Sequence, residues 1–123
     1  MEFSIHYHDV FFEVITSGDA EVDKFGDILE SLAGHEKWKP GTPFLINHAK
    51  LNAAPLTPDD MRKIAELNGR YAAKIGNSRC AHFVSRELEF GMARMWETLV
   101  EGKWDVSEKL FKSKDEAVAW LTE

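Results

Sequence analysis

Two short patterns in this chain put chemistry-bearing side chains at a useful spacing, His6-Tyr7-His8-Asp9 and Cys80-Ala81-His82. Alternate residues of a strand point to one side, so His6 and His8 could chelate a cation with Asp9 adjacent. A catalytic zinc normally takes three protein ligands, however, and His35, His48 and His82 add no motif spacing. Exposed edge-strand histidines are the plainer reading, and no metal is expected. Cys80 and His82 also share a face, as a thiol nucleophile and its base would. The surrounding "RCAHFV" is apolar, so both are expected in the middle of a covered strand, the thiol inert and the histidine hydrogen-bonded inside.

A second group lies in "FLINHAKLNAAPLTPDDM", which starts apolar and turns polar at Asn47, His48 and Lys50. Ligands of open α/β sheets bind beyond the carboxyl ends of the strands. Asn47 and His48 fall at one such end, Ser85 and Arg86 at the next, and Arg94 one helical turn further on. Free amides at a helix start attract anions, but Asp59, Asp60, Glu87 and Glu89 already occupy those ends. Gly91 stands alone, outside any glycine-rich loop. A neutral or weakly polar small molecule is therefore what this edge would take; otherwise Asn47 and His48 satisfy loop backbone groups. Phe90, Met95 and Trp96 cannot all face the same way as Met92 and Leu99, and Phe90, Gly91 and Met95 could line a groove or a partner surface. No Ser-His-Asp set, paired carboxylates or nucleotide loop is present, so neither catalysis nor a cofactor is expected.

These residues need elements to hold them. Phe3, Ile5 and Tyr7 alternate with polar residues as in a half-exposed strand, and Val10–Thr16 forms a second, covered strand before "SGD". Val22, Phe25, Leu29, Leu32 and Ala33 share a helical face that Gly34 ends. "PFLIN" is a short interior strand. Thr57-Pro58-Asp59-Asp60 opens a helix, with Thr57 as cap, proline at the first position and carboxylates at the positive end. That helix continues to Ile75. Cys80–Val84 is a strand, Glu87–Glu101 a helix, and Val106–Phe111 an edge strand protected by Glu108 and Lys109. Ser113 and Glu116 cap a last helix. The order β-β-α-β-α-β-α-β-α predicts an α/β domain over 1–123: a mainly parallel five-stranded sheet with an antiparallel N-terminal pair.

Composition narrows the partners. In 123 residues, fifteen basic against twenty-one acidic side chains give a net charge of −6. That balance, without a basic run, argues against nucleic acid and anionic membrane surfaces. The one cysteine excludes an internal disulfide and fits a reducing cytoplasm. No apolar run reaches spanning length, so stable membrane insertion is not expected.

"KWKPGTPFLIN", "LTPDDMRKIAEL", "FGMARMWETL" and "KLFKSKDEAVAWL" together make the chain resemble the SpoIIAA-like group of the STAS superfamily, whose fold is also compared with the lipid-carrying CRAL-TRIO domain. The stretches and their spacing cover nearly the whole chain, and none is a catalytic signature. The resemblance implies a small α/β domain, usually bacterial and cytoplasmic. In anti-sigma-factor antagonists of the superfamily, a serine near the start of the second helix is phosphorylated to switch partner binding. The corresponding "LNAAPLTPDD" has no serine, and its one hydroxyl, Thr57, sits beside Asp59 and Asp60, where a phosphate would be repelled. The resulting expectation is a non-catalytic domain that binds a protein partner or forms a homodimer. The alternative is a carrier of a small apolar molecule or lipid.

Overall fold

The computed structural model describes all 123 residues. The chain runs β1 (Glu2–Tyr7), β2 (Phe12–Asp19), α1 (Val22–Ala33), β3 (Phe44–Asn52), α2 (Pro58–Arg70), α3 (Ala72–Ile75), β4 (Arg79–Phe83), α4 (Glu87–Val100), β5 (Ser107–Phe111) and α5 (Lys114–Leu121). β1 pairs antiparallel with β2, and β2 to β5 run parallel in the spatial order β1-β2-β3-β4-β5. Every crossover steps one strand in the same direction. Crossovers of one hand then place every intervening helix on one side of the sheet. α1, α2 and α4 pack side by side there, over Phe12, Val14, Phe44 and Ile46. α5 follows the last strand and covers the opposite side, against Leu45, Ala81 and Phe111.

Three boundaries differ from the sequence reading. The second helix breaks at Tyr71, where Asn68 and Gly69 are poor helix formers and the Tyr71 N–H tightens onto the Asn68 carbonyl at 3.1 Å. β2 begins at Phe12 rather than Val10, because Asp9 turns the chain at φ 65, and it continues through Ser17, Gly18 and Asp19 paired to β3. β3 is the largest departure. It runs nine residues, to Asn52, so the polar shift at Asn47 and His48 lies inside a strand and not in a loop. Ile15 pairs with Asn47 while Ser17 pairs with Lys50, which leaves β3 one residue longer than β2 around Thr16. This bulge re-aims the side chains beside it.

α2 starts as its sequence predicts. Thr57 Oγ1 accepts from the Asp60 N–H at 3.1 Å, and Asp60 Oδ2 accepts from the Thr57 N–H at 3.0 Å, closing a capping box. No helix is long and apolar enough to cross a membrane.

Candidate functional site

The helix-side face of β3 and β4 does not close completely against the helices above it. A cavity of about 90 Å³ remains between these strands and α1, α2 and α4, and sixteen of its twenty lining residues are hydrophobic. Phe44, Ile46, Ile64, Met92 and Trp96 form much of its wall. A single water needs only about 10–15 Å³ on this measure, so the space holds several waters or a small organic group. A sheet in sequential strand order has no reversal point, and so lacks the crevice at which doubly wound sheets bind ligands. The open space therefore lies inside the layer, under the helices.

The polar lining of this apolar space is compact. Strand alternation and the bulge send His48 into it from β3, while Cys80 and His82 enter as alternate residues of β4. Thr16 Oγ1 donates to the Asn47 carbonyl at 3.3 Å and lies 2.6 Å from His48 Nδ1. The hydroxyl has one proton to give, and the neutral His48 ring serves the shorter contact in either tautomer. Burial, reinforced by His82, lowers the His48 pKa from 6.5 to about 3. His48 is half-buried and borders an almost wholly apolar space, which disfavours its charged form and keeps it neutral. The His48 and His82 rings stack at 6.2 Å, and Trp96 meets His82 edge-on at 4.7 Å.

Beneath them, His82 Nε2 lies 2.8 Å from Glu108 Oε1 and 3.4 Å from Cys80 Sγ. Glu108 is a correction to the sequence reading, which made it a solvent-facing guard of the sheet edge. Its side chain is only 4% exposed, because β5 pairs Glu108 with Cys80 and so turns it inward. Cys80 and His82 are buried as expected, and both also border the cavity. Both contacts converge on one imidazole nitrogen, so the ring cannot take the thiol proton on one nitrogen while the carboxylate orients the other, as in a catalytic triad. Burial, then the Glu108 carboxylate, pushes the Cys80 thiol well above its usual range, which keeps it protonated and unreactive.

A second buried carboxylate, Glu89, sits at the start of α4. Its Oε1 accepts from Arg86 and from the Ala53 N–H, and Arg86 also donates to the Leu51 carbonyl at 2.6 Å. This clamp ties the end of β3 to the first turn of α4 across the cavity rim. Glu89 Oε2 is buried with no hydrogen-bond partner, as are the indole Nε1–H groups of Trp96 and Trp104. Glu89, Trp96 and Trp104 all line the cavity, and no lysine or arginine does.

The sequence-selected residues separate accordingly. His48 lines the cavity and Arg86 clamps its rim. Asn47 faces the opposite side of the sheet, where its Nδ2 donates to Glu13 Oε2 at 3.1 Å. Thr57 caps α2, and Arg94 is exposed on α4. Phe90 is half-buried beneath Lys112, whose Nζ lies 4.7 Å from the ring, while Gly91 and Met95 are exposed. His6 bonds to Ser4 and His8 to Glu13, so the N-terminal histidines do not converge. Sequence reasoning missed Glu89, Glu108 and Trp104, because a carboxylate or indole reaches a buried site through the register of neighbouring elements, which one segment's periodicity does not contain.

No protein-family model matches the chain, and no curated protein matches it. Among solved structures it is similar to an uncharacterized protein from the DUF3478 family with a SpoIIAA-like fold, from Shewanella loihica PV-4. The two are 18% identical with a TM-score of 0.62, covering 98% of this chain and 92% of the other. At that identity the likeness shows the fold alone. The fold is SpoIIAA-like, as the resemblance in sequence implied.

Proposed function

We propose that this domain binds a small, largely apolar, neutral molecule with one hydroxyl or carbonyl group in the cavity between the sheet and α1, α2 and α4. The carrying observation is the pairing of an apolar wall with buried polar groups that no protein atom satisfies. Leaving about 90 Å³ of apolar space unfilled costs about 2 kcal/mol at ~24 cal/mol per Å³. Each unsatisfied indole N–H adds about 1–3 kcal/mol. Those amounts are a large share of a domain's total stability of about 5–15 kcal/mol. A ligand oxygen accepting from an indole, with a hydrocarbon body against the wall, relieves both. The absence of a cationic side chain in the lining, together with the Glu89 carboxylate, disfavours anions.

Native mass spectrometry of protein taken from cells tests this, with Ala93→Phe as the filled-cavity control, since Ala93 of α4 lines the space. An apolar adduct on the wild type that Ala93→Phe loses is the expected result. Adduct-free wild-type spectra, combined with unchanged Trp96 and Trp104 fluorescence across a panel of small alcohols and ketones, would overturn it.

One observation favours a second reading, docking of a protein partner or a second copy. Leu88 and Met95, two turns apart on α4, are 52% and 39% exposed on either side of Gly91. Self-association lost in Leu88→Glu supports it, and a monomer at all concentrations with no recovered partner rejects it.

A further inference from the structure

The Cys80, His82 and Glu108 cluster has properties that the ligand reading does not use. Two adjacent parallel strands deliver it: Cys80 and His82 as alternate residues of β4, and Glu108 from the β5 position paired with Cys80. One donor atom from each side chain falls within 4.8 Å of the other two. Cys80 is 1% exposed and the His82 and Glu108 side chains 8% and 4%. Glu108 Oε2 is buried and unpartnered, and the only ion-pair partner of Glu108 is His82. A carboxylate so far from water needs a counter-charge, and neither lysine nor arginine supplies one.

We propose that Cys80, His82 and Glu108 bind a divalent transition-metal ion of the zinc class, leaving one coordination position open toward the apolar cavity. Binding the ion releases the Cys80 thiol proton to solvent, and the resulting thiolate, with the carboxylate and a neutral imidazole, sums to two negative charges that the divalent ion balances in a low-dielectric site. The mixed sulfur, nitrogen and oxygen set suits borderline-soft zinc, whereas calcium and magnesium take oxygen ligands. Tetrahedral zinc, with bonds of about 2.3 Å to sulfur and about 2.0–2.1 Å to nitrogen and oxygen, separates its ligands by about 3.4–3.6 Å. The Cys80 to His82 distance of 3.4 Å already meets this. The 2.8 Å between His82 and Glu108 opens by about half an ångström through rotation of the glutamate. Three protein ligands and a free fourth position are the pattern of zinc sites that accept an external donor. Cys80 and His82 both border the cavity, so that donor is a water or the polar group of a molecule held there.

Cobalt(II) titration of the metal-free full-length chain, followed by absorption, is the test. Cys80 is the only cysteine, so a thiolate-to-cobalt charge-transfer band can come from nowhere else. The expected result is such a band saturating at one equivalent, with the intense visible bands of four-coordinate cobalt, both abolished by excess zinc. Cys80→Ser removes the charge-transfer band. Glu108→Gln, which keeps the hydrogen bond to His82, weakens zinc by more than the roughly 10- to 100-fold that loss of an outer-shell partner costs, because it removes a ligand. A His6→Ala, His8→Ala double variant retains the band, which separates the site from surface imidazoles. Circular dichroism confirms the fold of each variant. Wild-type protein without a thiolate band at saturating cobalt overturns the proposal, as does Glu108→Gln holding zinc as tightly as wild type.

Discussion

Acidification from about pH 7.5 to about pH 5 is predicted to destabilise the protein by about 2 kcal/mol through His48 alone. The folded pKa of His48, about 3, lies below its unfolded value of 6.5. Its neutral form therefore contributes fully above 6.5. As the pH falls further, the unfolded chain takes up a proton that the folded chain refuses. Stability then drops by about 1.4 kcal/mol per pH unit until the folded pKa is reached. The groups facing the ring cannot hold its charge: His82 stacks at 6.2 Å, Phe25 lies at 6.1 Å, and Thr16 is neutral. Glu89 lines the same cavity but is engaged by Arg86. Depressed carboxyls such as Glu13 lose stability only below their ordinary value of 4.5, so the interval above it belongs to histidine. Urea unfolding followed by tryptophan fluorescence, at half-unit pH steps, measures the slope. His48→Gln keeps a hydrogen-bonding partner for Thr16 and removes the titration, so its slope should fall by most of that amount. A variant slope equal to that of the wild type refutes the argument.

Three further outcomes follow from local geometry. Thr57→Ala removes the side-chain half of the capping box, leaving Asp60 Oδ2 on the residue-57 N–H, and should cost about 1 kcal/mol in denaturant unfolding, without altering adduct binding. Gly76→Ala should cost more than about 1 kcal/mol, read as a lowered thermal midpoint. Its φ of 77 suits glycine, and an added Cβ would lie 2.9 Å from Pro40 Cβ and 3.0 Å from the Gly41 nitrogen. Burial alone would raise the Glu13 carboxyl, but hydrogen bonds from Lys114, Asn47 and His8 hold it below 4.5. Its stabilisation is complete above that value and lost as the pH falls through the folded pKa. Glu13→Gln should flatten the acid limb of the stability curve below about pH 4.5 without changing the histidine-dependent slope above it.

The architecture was legible because its signals are local. Alternation in Phe3, Ile5 and Tyr7, the Thr57-Pro58 helix start and the Gly76 stop are each written within a few residues, and each appears in the structure. The cavity was legible only in part. Strand alternation put Cys80 and His82 on one face, but not how far α4 stands off that face. The sequence places His48 after a strand; the extra β3 residue opposite Thr16 keeps it within one. Glu108 and Lys109 look alike as charged residues of an edge strand, and only the pairing with Cys80 sends one inward and leaves the other exposed. Glu13 was hidden for a related reason. It interrupts the apolar run of β2 but meets its cation, Lys114 at 2.9 Å, from an element a hundred residues away.

The sequential strand order bears on how the chain assembles during synthesis. Each new strand adds to the rim of a sheet already formed, so no segment waits for a later one to slot between its neighbours. The helical layer grows in the same direction, one crossover at a time. The other side of the sheet is treated differently: Phe11, Leu45 and Ala81 gain their cover only when α5 emerges. A ribosome-bound chain stalled after β5 should therefore expose one greasy surface to chaperones, and release of α5 should end that recognition.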